Sequence, residues 1–175
     1  MKHESDYYGH MADDITDRLL VSWDAARPDL GVGALQVTAR LARLGPHLAR
    51  RQEAVFGRFG LSRGEVGLLS ALRIAGPPRR LSPTRLGHGL MLSSAGVTSR
   101  VDRLERRGFV RRLPDPDDRR GVIVELTDEG LEVVDAAVAA NTASDRQLLE
   151  RLTPEEIETL EGLLRKLLAG LELPD

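Results

Sequence analysis

The chain has 175 residues and no Cys, and its 25 Lys+Arg against 27 Asp+Glu give a formal net charge of −2. That length suits one globular domain, or an elongated one with a protruding sub-lobe, and excludes two large independent domains. The lack of Cys excludes disulfides, thiolate metal sites and thiol-based redox sensing, while four His and 3% aromatic residues leave little for metal centres or base-stacking platforms. No apolar run is long enough to span a bilayer, and the acidic N-terminus has no signal-peptide core, so a cytoplasmic protein is expected.

In chain order, residues 1–12 are expected to be flexible, and helices are predicted over 13–26 and 30–58. Ser62 with Glu65 makes a capping-box pattern that satisfies the first amides of a helix over 62–75. Ser82-Pro83 starts a short helix over 82–89, because proline at the first helical position loses no hydrogen bond. A Gly-punctuated turn leads to a longer helix over 93–107. Two β-rich runs follow, 109–113 and 121–126, joined by Pro114-Asp115-Pro116-Asp117-Asp118-Arg119-Arg120, whose prolines and aspartates favour turning. They read as a hairpin with a charged tip. Helices over 127–150 and 154–170 complete the pattern, the second announced by Thr153-Pro154-Glu155-Glu156.

The last helix carries Ile157, Leu160, Leu164, Leu167 and Leu171 at alternating steps of three and four, a narrow apolar seam that wants a partner helix. Leu41, Leu44 and Leu48, then Val55 and Phe59, offer one in the 30–58 helix. Long flanking helices on a chain this size make a thin monomer, so the terminal helices are expected to pair between two subunits. An intramolecular bundle is the alternative.

Charge is distributed unevenly. From Arg79 to Arg120 eleven Arg stand against five acids, a local +6 that leaves −8 for the rest, which points to one anionic partner met by one face. The order helix, short helix, turn, longer helix and hairpin over 62–126 is that of a helix-turn-helix followed by a wing. In the 93–107 helix Val97, Val101 and Leu104 share a stripe that must pack inward. Opposite lie Ala95, Ser99, Asp102, Arg103 and Arg106, with Thr98 at the edge. Small residues let a helix N-terminus descend into the DNA major groove, where Arg reaches guanine or phosphate. A solvated helix whose arginines merely complement its dipole is the plain alternative. At the hairpin tip, Arg119 and Arg120 suit the narrow, negative minor groove, with Asp117 or Asp118 holding one of them extended. The alternative there is a solvated turn with local ion pairs.

The run from Ser94 through Arg112, with Asp115-Pro116-Asp117-Asp118-Arg119-Arg120-Gly121 and Val124-Glu125-Leu126-Thr127-Asp128-Glu129-Gly130, resembles the MarR winged-helix transcriptional regulators. In layout the likeness extends from about residue 30 to 170. It implies a mainly α fold with a small β-hairpin wing: N-terminal helices over 13–60 for dimerisation and a pocket wall, a DNA-binding lobe over 61–126, and dimerisation helices over 127–175. It further implies a homodimer gripping a pseudo-palindromic double-stranded operator, with Ser94, Ala95, Thr98, Ser99 and Arg103 at the major groove and Arg119 or Arg120 at the minor groove. The candidate DNA-facing set is completed by Ser93, Arg106, Arg112 and Asp118.

Trp23-Asp24-Ala25-Ala26-Arg27-Pro28-Asp29-Leu30 is similar to the extra first helix of a MarR branch that responds to urate and related anionic metabolites. Trp23 and Arg100 match that branch's ligand-pocket residues, whereas its pocket Asp falls on Gly67, which speaks against urate itself. Independently, Arg100 lies beside the Val97/Val101 stripe, where a bound carboxylate or enolate would pair with it and reposition the helix. A phosphate clamp or structural ion pair is the other reading of Arg100, and a packing anchor the other reading of Trp23.

Enzyme classes find no support: the sequence has no nucleophile elbow, no phosphate-binding G-x-x-x-x-G-K-[ST] loop and no paired His at ligand spacing. Neither a cofactor nor a metal is expected. The expectation is a ligand-relieved repressor answering to a small anionic or aromatic effector. A protein-interaction module whose basic lobe docks an acidic partner is the competing class.

Overall fold

Asp14 caps the first helix, α1 (Ile15–Ala26), accepting from the amides of Thr16 and Asp17 at 2.6 and 3.1 Å, while its own amide donates to the Asp17 carboxylate at 3.0 Å. The computed structural model describes residues 14–116, 118 and 121–171, which fall into two compact units divided between Arg50 and Arg51. In the first unit Arg40 joins the α1 cap to the next helix, α2 (Leu35–Gly57), by ion pairs to Asp14 at 3.1 Å and Asp17 at 2.7 Å. The helix predicted to start at residue 30 starts at Leu35 instead. Single 3-10 turns, Pro28–Leu30 and Val32–Ala34, occupy the gap, with Gly31 between them at φ +58°. That left-handed angle is open to glycine and interrupts helix propagation.

In the second unit the capping signals seen in the sequence at Ser62, Ser82 and Thr153 each open a helix, and Ser93 and Thr127 cap two more. Ser62 accepts from the Glu65 amide and opens α3 (Arg63–Ile74), and Ser82 does the same for Arg85 at the start of α4 (Pro83–Leu90). Ser93 opens α5 (Ser94–Arg106), Thr127 opens α6 (Asp128–Leu149) and Thr153 opens α7 (Pro154–Ala169). The left-handed residue between α4 and α5 is Met91 at φ +51°, not a glycine, and its side chain is 95% exposed.

The wing has one strand more than the predicted hairpin. Strands β2 (Val110–Pro114) and β3 (Val122–Leu126) pair antiparallel, and a two-residue strand, β1 (Arg80–Leu81), pairs with the other edge of β3 through Arg80↔Glu125 and Leu81↔Val124. Two residues give no alternation to read.

The second unit's core gathers Leu68, Leu69 and Leu72 of α3, Leu86 of α4, Val97, Val101 and Leu104 of α5, Val124 of β3, and Val134 and Ala137 of α6. Fully burying a leucine contributes about 1.5–3 kcal/mol, so this inward stripe fixes which face α5 turns out. No residue of α7 is buried. Its predicted seam is half-buried at Ile157 and Leu164, and Leu163 and Leu168 join Leu160, Leu167 and Leu171 on an exposed apolar surface broader than the sequence suggested. Among the described residues no helix is long and apolar enough to cross a membrane, and no cluster of acids and histidines is grouped to hold a metal ion.

Candidate nucleic-acid interface

The geometry of α5 begins at Ser93, whose hydroxyl accepts from the Gly96 amide at 3.2 Å. The inner stripe of α5 is buried as predicted, and Ser94, Ala95, Thr98, Ser99, Asp102, Arg103 and Arg106 together line one shallow, open concavity. The Thr98 hydroxyl donates to the Ser94 carbonyl at 2.9 Å and the side chain remains exposed. The small, hydroxyl-bearing half of this face and its arginine-bearing half are thus one continuous surface.

The arginines are less available than their number suggests. Arg103 donates from Nε to Glu65 at 3.0 Å and from a terminal nitrogen to the Ser99 hydroxyl at 2.9 Å, with 45% of its side chain exposed. Arg112, one of the candidate DNA-facing residues, ties β2 to α5: it pairs with Asp102 at 2.5 Å and with Glu105, which also accepts from the Arg112 amide. Arg107 donates to the carbonyls of Gly60 and Phe59 and stacks over the Phe109 ring, 4.6 Å from its centroid. Arg106 donates to the Asp102 carbonyl at 3.3 Å. Arg80 and Arg111 both pair with Glu125, and Arg79 pairs with Asp128. The local +6 is therefore offset in space by Glu65, Glu125 and Asp128, acids that lie outside the 79–120 window.

These pairs act on the acids. Burial pushes the Glu65 carboxyl up, but the Ser62 amide and hydroxyl and the Arg103 guanidinium outweigh it and hold the group below the ordinary carboxylate range. Glu125 is likewise held low, first by Arg111 and then by Arg80, against a smaller opposing effect of burial.

At the hairpin tip the Asp115 amide donates to the Gly121 carbonyl at 3.0 Å and the Gly121 amide to the Asp118 carbonyl at 2.8 Å. A Cβ at Gly121 would fall 2.8 Å from that of Asp115, so a side chain there would force the turn to shift. Asp117, Arg119 and Arg120, the residues on which the minor-groove reading depends, lie outside the described residues.

Of the two candidate effector contacts, Arg100 is half-buried, donates to the Gly96 carbonyl at 3.0 Å and spreads its guanidinium over the backbone of Gly64 at the start of α3. Trp23, in the first unit, is 53% exposed. Gly67, at the position of the branch's acid, faces the Leu90 side chain.

A MarR family model matches residues 59–121. The transcriptional regulator PecS of Dickeya dadantii is 36% identical over 146 residues, which cover 83% of this chain and 88% of that one. The chain belongs to the MarR family of transcriptional regulators. Its fold agrees with MarR-family structures solved on DNA. A mutant MarR of E. coli complexed with operator DNA superposes with a TM-score of 0.67 at 26% identity, covering 83% of this chain and 99% of that one. Sco3205, a MarR family regulator of Streptomyces coelicolor in complex with DNA, gives 0.62 at 32% identity, covering 77% and 87%.

Within this MarR-family lobe, sequence reasoning identified the exposed face of α5 but missed what holds its arginines. Glu65 was visible only as a cap, because its partner Arg103 lies 38 residues away. Glu105 carried one available signal, its position three residues after Asp102 on the same helix, where both acids reach Arg112.

Proposed function

We propose that this chain is a cytoplasmic repressor that binds a pseudo-palindromic operator as a homodimer and is relieved by a small anionic or aromatic effector. The observation that carries the DNA reading is the outer face of α5, on which Ser94, Ala95, Thr98 and Ser99 form one open surface with Arg103 and Arg106. A helix with so slim an N-terminal half fits the depth of the major groove, and its arginine half supplies donors for guanine or phosphate. The E. coli and Streptomyces coelicolor structures, solved on DNA, support the same use of this lobe. In this reading Arg119 and Arg120 enter the adjacent minor groove, and the exposed leucines of α7 supply part of the subunit contact. Trp23 and Arg100 are the effector contacts.

Selection of bound duplexes from a random pool tests this directly. Enrichment of an inverted repeat whose half-sites lie roughly 10 base pairs apart, centre to centre, is the expected result. Repeating the selection with small aromatic carboxylates tests relief. A pool that yields no repeat, together with capture of acidic polypeptides in preference to DNA, overturns the reading in favour of a protein-docking module.

A further inference from the structure

We propose that Glu65, a residue of α3, sets how selectively α5 reads DNA by fixing and partly neutralising Arg103. The inference rests on the preceding one, that α5 lies in the major groove.

Capping needs only an acceptor at this position, and glutamine serves as well as glutamate. A carboxylate that is only 8% exposed is costly unless it is paired, so its charge calls for a reason beyond the cap. The two oxygens divide the work: Oε2 accepts from the Ser62 amide at 2.9 Å and hydroxyl at 2.8 Å, and Oε1 accepts from Arg103 Nε at 3.0 Å. Arg103 then reaches Ser99 Oγ at 2.9 Å. A chain of hydrogen bonds thus runs from the cap of α3 to the middle of the groove-facing surface.

Two consequences follow. An arginine has five N–H donors in a rigid fork, more than these two contacts use, so a guanidinium pinned through Nε presents the rest in a fixed direction. The adjacent negative charge also cancels much of the attraction Arg103 would otherwise exert on any phosphate. Direction serves only the correct base edge, whereas charge serves every sequence equally. Glu65 therefore preserves specific contact while suppressing non-specific contact.

The test compares the full-length wild type with Glu65→Gln, Arg103→Gln, the double variant and Arg103→Lys. Each is titrated with a selected operator duplex and a random duplex of equal length at several salt concentrations. Glu65→Gln, whose cap survives, is expected to unfold at nearly the wild-type temperature and to bind random duplex more tightly. Its slope of log affinity against log salt should steepen by about 0.9, the value for one extra phosphate contact. Its ratio of operator to random affinity is expected to fall about tenfold. In the Arg103→Gln background, Glu65→Gln should leave the ratio unchanged, because the residue it acts through is gone. Arg103→Lys, which keeps the charge without the fork, should lower the ratio at an unchanged salt slope; this arm carries the test if Glu65→Gln fails to fold. Glu65→Gln with wild-type ratio and slope overturns the inference, as does an equal loss of ratio in the Arg103→Gln background or an unaltered ratio in Arg103→Lys. A wild type that discriminates no duplex overturns the DNA reading itself, and is recognisable as such because the variants then have no ratio to lose.

Discussion

Glu125 sits on the central strand of the wing with Arg80 on one neighbouring strand and Arg111 on the other. Its carboxyl is held below the ordinary glutamate value of about 4.5, so its contribution to stability is fully present above that value and is lost as pH falls through the lower folded one. Both arginines are in contact with solvent, Arg111 more than Arg80, and screening keeps the effect small. Glu125→Gln should cost about 1 kcal/mol at pH 7, and the gap between variant and wild type should narrow and then close as pH falls below the ordinary glutamate value, as urea titrations at a series of pH values would show. Gly64 sets a different constraint. An alanine Cβ there would fall 2.5 Å from Arg100 Nε, but a guanidinium at the end of a flexible chain can swing aside. Since alanine favours the helix by up to about 1 kcal/mol, Gly64→Ala should leave stability within about 1 kcal/mol of wild type while releasing Arg100 from the Gly96 carbonyl. If Arg100 is an effector contact, operator affinity without effector should persist and the effector concentration needed for release should change several-fold; an unchanged response removes Arg100 from that role.

At the level of elements, the turn joining α5, the wing and α6 is the tightest junction. Thr127 Oγ1 donates to the Gly108 carbonyl at 2.7 Å and accepts from the Gly130 amide at 3.0 Å, so one hydroxyl both caps α6 and ties it to the turn that follows α5. Gly130 lets the backbone come close: a Cβ there would run into the carbonyl of Phe109, which is fixed in turn by the Thr127 amide at 3.1 Å. Backbone cannot step aside as a side chain does. Gly130→Ala is therefore expected to cost roughly 2 kcal/mol or more in denaturant titrations, against about 1 kcal/mol for Thr127→Ser, which keeps the cap and loses a methyl group. A tolerated Gly130→Ala would mean that α6 can shift against the wing. The same elements show what was legible beforehand. Capping at Ser62, Ser82 and Thr153 is written in neighbouring residues, and the inward stripe of α5 has a period, so the helices and the exposed face of α5 could be read directly. Strand β1 exists only because β3 offers it an edge, and the ion pairs of Arg103 and Arg112 exist only once α3, α5 and β2 have packed. Tertiary partners of this kind leave no local pattern. The window of positive charge pointed to an anionic partner but overstated the charge left free, since it was counted along the chain while Glu65, Glu125 and Asp128 fold back onto it.

For the molecule as a whole, the question is what covers α7. The helix is well made locally, with Thr153 accepting from the Glu156 amide at 3.3 Å and its own amide donating to Glu156 at 2.8 Å, yet none of its residues is buried. Leu163, Leu167 and Leu168 of α7 and Leu171 just past its end are all at least half exposed, and soluble monomers rarely leave so many large apolar side chains together. A second copy is the partner whose concentration always matches, and a symmetric reader of an inverted repeat needs one. Replacing Leu163 and Leu167 together by Glu should leave the fold of the DNA-binding lobe intact, since neither residue belongs to its core. Sedimentation should show the wild type as a dimer and the variant as a monomer at the same micromolar concentration. Operator affinity should then fall by about 100-fold or more, because each half-site would be bound without the effective concentration that linkage provides. The salt slope should fall to roughly half, since one lobe neutralises half the phosphates. A variant that stays dimeric would assign the subunit contact to other surfaces; a wild type that is monomeric at operator-binding concentrations would instead require the two half-sites to be read independently.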